Sequence, residues 1–202
     1  MKNILAIIPA RGGSKGLPGK NIIDLCGEPL INWTIQAAKG SKYISEIYVS
    51  TDDLKIKDVV EKSGIKINHL RSKRLSQDDT LSIDVVLDIL AFPQFSNIEY
   101  VCMLQPTSPL RNSRHIDEAF DKFFNLNASC CVSVCENEFS PFWSFEINDN
   151  KIKSLFPSNS IPLRRQDLPT TYSLNGAIYI AKVDWIINNK SFLSDQTFAY
   201  VM

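Results

Sequence analysis

The chain has 202 residues, 44% hydrophobic and 22% charged, with 22 basic and 22 acidic side chains that cancel to a formal net charge of zero. That length and composition fit one well-filled globular domain. A neutral chain with no basic tail or stripe does not suit nucleic acid as a partner, so any anion it binds must be held by local charge. No apolar run nears the ~18–20 residues that span a bilayer. The apolar start, Ile4 to Ile8, runs into Pro9 and Arg11 rather than into a signal-peptide cleavage region. Cys26, Cys102, Cys130, Cys131 and Cys135 form no C-x-x-C pair and no disulfide framework, which points to a reducing cytoplasm.

In chain order, Ile4 to Ile8 reads as a buried first strand. Gly12, Gly13, Gly16 and Gly19, out of eight glycines in the chain, follow it directly and are threaded among Arg11, Lys15 and Lys20. Glycines there let the backbone approach a ligand, and cations with turned-in N–H groups suit a polyphosphate. The alternative is a surface loop that happens to be basic. The dinucleotide pattern G-x-G-x-x-G fails on spacing. The P-loop pattern would need glycine where Ser14 stands and a hydroxyl where Asn21 stands.

Behind Pro29, residues Leu30, Trp33, Ala37 and Ala38 recur at helical spacing, and Gly40 stops that helix. Ile44 to Thr51 reads as a β-branched strand ending in Thr51-Asp52-Asp53. Ile56, Val59 and Val60 share one face of a short helix stopped by Gly64. Ile65 to Leu70 is expected to be a strand, closed by Arg71. The polar stretch Ser72 to Thr80 leads into a helix from Ser82, whose hydroxyl can cap it, with Ile83, Val86, Leu87 and Leu90 inward. Tyr100 to Leu104 is the next strand, ending in the loop Gln105 to Arg111. Ser113 caps another helix, with Ile116, Ala119, Phe120 and Phe123 on one side, and Ala128 to Cys135 is a further strand.

Strands alternating with helices in this way predict parallel crossover units, hence an α/β fold with helices on both faces of the sheet. Ligands of such sheets bind outside the carboxyl ends of the strands. The Arg11 loop, Thr51 to Asp53, Arg71 and Gln105 to Arg111 all fall there. From Glu136 to Leu174 the rhythm breaks. Phe142 to Ile147 and Lys151 to Phe156 flank a hairpin turn at Asn148-Asp149-Asn150, and Pro141, Pro157, Pro162 and Pro169 interrupt the remainder. This is an excursion from the sheet, and its clustered Phe142, Trp143, Phe145 and Phe156 mark an interface with a second copy. Asn175 to Ala181 returns as a strand, Val183 to Asn188 is a short helix, and Thr197 to Met202 is a final strand.

Arg11 and Lys20 can screen a triphosphate and stabilise charge on a departing pyrophosphate. Asn21 can hold a phosphate oxygen or the attacking hydroxyl. Asp52 and Asp53 read either as a solvated turn or as Mg²⁺ ligands. Pro106 and Pro109 stiffen the loop headed by Gln105, whose amide suits a sugar hydroxyl or a base edge. Arg164 and Arg165 belong to a solvated hairpin, or Arg165 offers its fork to a carboxylate. His69 and His115 have no partner at ligand or triad spacing and read as structural.

The stretch P-A-R-G-G-S-K-G-L-P-G-K-N, Pro9 to Asn21, resembles the signature loop of the CMP-sugar synthetases, the cytidylyltransferases that activate sialic acid and related nine-carbon acids. The segments L-Q-P-T-S-P-L-R at Leu104 to Arg111, R-Q-x-L-P at Arg165 to Pro169 and N-G-A-I-Y at Asn175 to Tyr179 extend the resemblance over essentially the whole chain. It implies a three-layer, Rossmann-like nucleotidyltransferase sheet over residues 1–202. Within it, a protruding β-hairpin element, 136–174, pairs two copies into a homodimer and lends Arg165 towards the neighbouring site. The resemblance puts Arg11, Lys20 and Asn21 on the CTP phosphates, with Gly12, Gly13 and Ser14 around them, and Arg71 and Ser82 near base and ribose. It turns Gln105 to the sugar acid, gives Arg165 its carboxylate, and adds Asn175, Tyr179 and Phe192 to the sugar pocket.

Two departures bear on substrate and metal. Trp143 stands where sialic-acid enzymes of this group often carry lysine. The S-P-x-W form, with Asn189 to Leu193 and Ala199 to Met202, is similar to the legionaminic-acid branch. Relatives continue past the position of Met202 with an S-I-D-I-D-like segment whose aspartates carry the catalytic Mg²⁺. The reaction implied is CTP plus a nonulosonic acid, N-acetylneuraminic or legionaminic, giving the CMP-sugar and pyrophosphate. The anomeric hydroxyl attacks the α-phosphorus in line, with Mg²⁺ bridging the phosphates. The alternatives are the same chemistry on pseudaminic acid or KDO, or a CTP-binding relative whose catalysis is impaired for want of that metal segment.

Overall fold

The computed structural model describes residues 2–156, 162 and 164–202, and of Arg165 the backbone alone. The strands along the chain are β1 (Ile4–Pro9), β2 (Asp24–Leu25), β3 (Glu28–Pro29), β4 (Glu46–Ser50), β5 (Tyr100–Met103), β6 (Cys130–Glu136), β7 (Phe145–Asn148), β8 (Lys151–Ser154), β9 (Tyr172–Lys182) and β10 (Phe198–Val201). The α-helices are α1 (Leu30–Lys39), α2 (Leu54–Lys62), α3 (Ser82–Leu90), α4 (Ser113–Asn125) and α5 (Val183–Asn189). The main sheet has the order β10-β6-β9-β5-β1-β4, and β2–β3 and β7–β8 are separate antiparallel pairs.

Successive residues of β1 feed two cores. Ile4, Ala6 and Ile8 pack with Ile31 and Ile35 of α1, Ile56 and Val60 of α2, and Ile116, Phe120 and Phe123 of α4. Leu5 and Ile7 face the other way, against Val85, Val86 and Ile89 of α3 and Ile186 of α5. A strand covered on both faces must be apolar at every position, which is why β1 shows no alternation. Each such fully buried side chain contributes roughly 1.5–3 kcal/mol. The result is three layers, with α1, α2 and α4 on one face and α3 and α5 on the other.

The sheet is mixed rather than wholly parallel. β1 runs parallel to β4 and β5, and β10 to β6, but β9 is antiparallel to both β5 and β6. Glu136, the last residue of β6, pairs with Tyr172, the first of β9. The excursion is thus an overgrown hairpin connection, and a chain that leaves and re-enters at one edge must come back antiparallel. Its β7–β8 turn carries Asp149 at φ 50 and Asn150 at φ 62. Asp and Asn tolerate the left-handed region, as a tight hairpin turn of this hand requires.

Other expectations shift in detail. Residues 65–70 form no ladder with β4. Ile65 and Ile67 are buried as their alternation implied, but the tie to the neighbouring segment is a single main-chain bond, Arg71 N–H to the Thr51 carbonyl at 2.7 Å. α1 buries Ile31, Thr34 and Ile35 with Ala37 and Ala38, while Leu30 and Trp33 lie at its margin. The Trp33 indole donates to the Leu25 carbonyl at 3.0 Å, a bond available only at that rim. α3 buries Val85, Val86 and Ile89, leaving Ile83, Leu87 and Leu90 partly covered.

The N-caps also differ. Asn112, not Ser113, caps α4: its Oδ1 accepts from the His115 N–H at 3.1 Å, and the Asn112 N–H donates to His115 Nδ1 at 3.3 Å. That reciprocal box gives His115 a structural place. Leu81 holds the N-cap position of α3, so Ser82 is the first residue of the helix and its hydroxyl makes no capping bond.

Candidate active site

A cleft of about 290 Å³ opens beyond the carboxyl ends of β1 and β5. It gathers Arg11, Ser14, Lys20 and Asn21 from the loop after β1, Arg71 and Ser82 from the α2–α3 region, and Gln105, Pro106 and Thr107 from the loop after β5. Gly12 and Gly13 line the adjoining groove with Lys15, Pro18 and Ser76 to Asp78.

The loop after β1 is fixed from below. The Gly12 N–H donates to Asp52 Oδ1 at 2.9 Å, and a Cβ on Gly12 would collide with the Asp53 carboxylate. Asn21, only 6% exposed, donates from Nδ2 to the Arg11 carbonyl at 3.0 Å. Its amide nitrogen therefore holds the loop's own backbone. Gly19 turns the chain at φ 67 into a 3-10 turn, Lys20–Ile22.

The cations differ in their surroundings. Arg11 is clamped across the cleft, with Nη1 donating to the Gln77 carbonyl at 2.8 Å and Nη2 2.8 Å from Asp78 Oδ1. Lys15 reaches the other oxygen of Asp78 at 2.5 Å. The hydrogen bond from Lys15, with Arg11 beside it, holds the Asp78 carboxyl below the usual carboxylate range. Lys20 has no hydrogen-bond or ion-pair partner among the described residues. Arg71 is nearly enclosed, with a side chain 4% exposed, Nε donating to Ser76 Oγ at 3.2 Å and Nη2 3.8 Å from Asp52 Oδ1. Burial lowers its pKa, the Asp52 charge opposes that shift, and Nη2 is left without a hydrogen-bond partner.

Asp52 thus ties the glycine loop to Arg71, while Asp53 caps α2 by accepting from Lys55 N–H at 2.6 Å and Ile56 N–H at 3.3 Å. Both help to hold the scaffold through Oδ1. Among the described residues no group of three or more acidic, histidine or cysteine side chains could hold a metal ion.

Three expected substrate contacts are not part of the cleft lining. Phe192 is 6% exposed and belongs to the second core, packed on Tyr179 at 5.4 Å between ring centroids. It is not among the side chains that line the cleft. Tyr179 is half-buried on that same core. Asn175 turns its Oδ1 to Ser133 Oγ at 2.6 Å and to the Ala177 N–H at 3.0 Å, stabilising its own strand rather than lining the cleft. The side chain of Arg165 lies outside the described residues.

Sequence reasoning did not single out Asp78, and nothing marked it beyond two acids in a polar stretch. Nor did it foresee Arg111, which is 2% exposed beneath the Gln105 loop.

A family model described as cytidylyltransferase matches residues 5–185. The chain is 41% identical over 199 residues to CMP-N,N'-diacetyllegionaminic acid synthase of Legionella pneumophila, covering 96% of this chain and 84% of that one. It is 38% identical over 181 residues to pseudaminic acid cytidylyltransferase of Campylobacter jejuni, covering 89% and 78%. Against N-acylneuraminate cytidylyltransferase of Streptococcus agalactiae it is 38% identical over 200 residues, covering 98% of this chain but 48% of that protein. In fold, it matches the solved structure of CMP:2-keto-3-deoxy-manno-octonic acid synthetase complexed with CTP, with TM-score 0.71 and 18% identity over 100% of this chain and 91% of that one. A glycine loop bearing cations at the carboxyl edge of the sheet and a family match across most of the sequence agree: this chain belongs to the cytidylyltransferase family.

Proposed function

We propose that the chain transfers the CMP group of CTP to a nonulosonic acid, N-acetylneuraminic or legionaminic, releasing pyrophosphate. The observation that carries this reading is the cleft itself, where Lys20 is unpaired and a buried Arg71 Nη2 lacks an acceptor. Those are the donors that an anionic nucleotide would satisfy. Arg11, Lys20 and Asn21 form the phosphate side, with Gly12, Gly13 and Ser14 beside them. In this reading Arg71 and Ser82 serve the nucleoside and Gln105 the sugar acid, with Arg165 assigned to the acid's carboxylate by the resemblance alone.

Asp78 is the acidic side chain lining the cleft, and its depressed pKa makes it a weak proton acceptor. The lining side chains therefore act by orienting CTP and the anomeric hydroxyl and by neutralising charge on the departing pyrophosphate. Mg²⁺ is the cofactor expected for this transfer. We further read residues 1–202 as one nucleotidyltransferase unit working in the cytoplasm as a homodimer. The β7–β8 hairpin supports the pairing, because a lone two-stranded ribbon is marginal in water and this one exposes Phe145, Ile147 and Ile152.

Pyrophosphate release from CTP and Mg²⁺ against N-acetylneuraminic, legionaminic, pseudaminic and 2-keto-3-deoxyoctonic acids tests the reading. Turnover with one of the first two is expected. CTP binding with no release for any acid would leave a nucleotide-binding relative in its place.

A further inference from the structure

Arg111 is a buried cation with no acid beside it. It is 2% exposed, makes no ion pair among the described residues, and its guanidinium meets only neutral oxygens. Nη1 donates to the Gln105 carbonyl at 3.1 Å and to the Ala177 carbonyl at 2.9 Å, and Nη2 to Thr34 Oγ1 at 2.6 Å. Nε is buried without a hydrogen-bond partner. Burial lowers its pKa to about 10, so it stays charged at neutral pH. Burying an uncompensated charge is costly, so an arginine in such a position must hold something that a smaller apolar side chain could not.

What it holds is defined by a break in the sheet. Val132 pairs with Tyr179 and Val134 with Leu174, so Asn175 to Ile178 stand opposite Ser133 alone. The pairing of β9 with β5 also ends at Tyr179. Ala177 therefore lies outside both ladders, and the Arg111 fork takes the carbonyl that the bulge sets free. One residue earlier, Gly176 turns at φ 73, and a Cβ there would lie 2.8 Å from Gln105 Oε1. The bulge, the glycine and the guanidinium thus converge on one amide.

We infer that Arg111 is a positioning residue: it locks the Gln105 main chain to the bulged backbone of β9 and α1, and so fixes the direction in which the Gln105 amide meets the sugar acid. This rests on the reading of Gln105 given above. It assigns the N-G-A segment of β9 a part in sugar recognition by backbone shape rather than by side-chain contact.

The test compares Gln105→Ala, Arg111→Lys, Gly176→Ala and the two double variants with Gln105→Ala, reading kcat and KM for the nonulosonic acid separately from the Kd for CTP. Gln105→Ala should raise the sugar KM by ~10-fold, the order for one lost hydrogen bond, with CTP affinity unchanged. Arg111→Lys and Gly176→Ala should reproduce that split, and neither should add to it in the Gln105→Ala background. Additive effects, or an equal loss of CTP affinity, would overturn the inference. If Gln105→Ala leaves the sugar KM unchanged, the reading of Gln105 fails and the inference with it. A Gln105 effect that Arg111→Lys does not share overturns the inference alone. Should Arg111→Lys fail to fold, Thr34→Val removes one acceptor of the fork and must show the same split in smaller measure. An unchanged sugar KM in that variant counts against the inference.

Discussion

The cleft and the excursion leave the same edge of the sheet, yet they treat their side chains in opposite ways. In and beneath the cleft several polar groups are tied to the chain's own backbone: Asn21 to the Arg11 carbonyl, Asp52 to the Gly12 N–H, Arg111 to Gln105 and Ala177. In the excursion the large apolar groups face solvent, with Phe139 at 81%, Ile147 at 74% and Ile152 at 69% exposure. The first region is held in shape by bonds within one chain. The second leaves apolar area uncovered. Polar side chains become rigid by satisfying one another locally, whereas apolar ones need area, and a two-stranded ribbon has too little of its own.

Three measurements break or sharpen that contrast. The largest effect is expected at Lys20, where Lys20→Ala should lower kcat/KM by roughly two to three powers of ten, as for a lost preorganised charge contact. The unfolding midpoint should change little, because the side chain makes no ion pair or side-chain hydrogen bond among the described residues. Near-full activity would take this loop out of the mechanism.

A smaller effect belongs to the hairpin. Ile147 and Ile152 are cross-strand partners, and replacing both with aspartate should weaken self-association by about 10–100-fold in sedimentation while leaving CTP binding intact. A wild-type chain that is already monomeric at micromolar concentration would count against the interface.

The smallest is at Asp78, which occupies Arg11 and Lys15 in the place an anion would take. Exposed ion pairs are weak, so Asp78→Asn should tighten CTP binding by only ~2–5-fold and steepen its salt dependence. The folded pKa of Asp78 is depressed, so the clamp is fully formed at neutral pH and is lost as pH falls through that lowered value. Looser CTP binding in the variant would make Asp78 a ligand-side residue instead of a competitor.

Much of the cleft was legible because the glycine-cation loop and the Gln105 block are contiguous in sequence. What each side chain does there was less so. Asp52 and Asp53 announce themselves as acids, but only three dimensions show that one oxygen of each is taken up by Gly12 and Arg71 or by the first turn of α2. Ile65 and Ile67 alternate as a strand would, yet alternation reports burial and not a ladder partner. The strand–helix rhythm implied parallel crossover units up to Cys135 and said nothing of the direction of the returning strand. That direction is set by where the excursion rejoins, a long-range fact absent from local spacing. Phe192 matched an aromatic position by sequence but is drawn into the core by Tyr179.

The late arrival of β9 has a consequence for biosynthesis. It sits between β5 and β6 in the sheet but follows both in the chain, with the whole excursion in between. While the ribosome is still making residues 137–171, β5 presents a bare edge to solvent and β6 has no neighbour to dock on. The N-terminal crossover units can collapse around β1 in that interval, but the sheet cannot close until Tyr172–Lys182 emerges and inserts between strands already made. Nascent chains stalled inside the excursion are therefore the ones expected to recruit chaperones or aggregate.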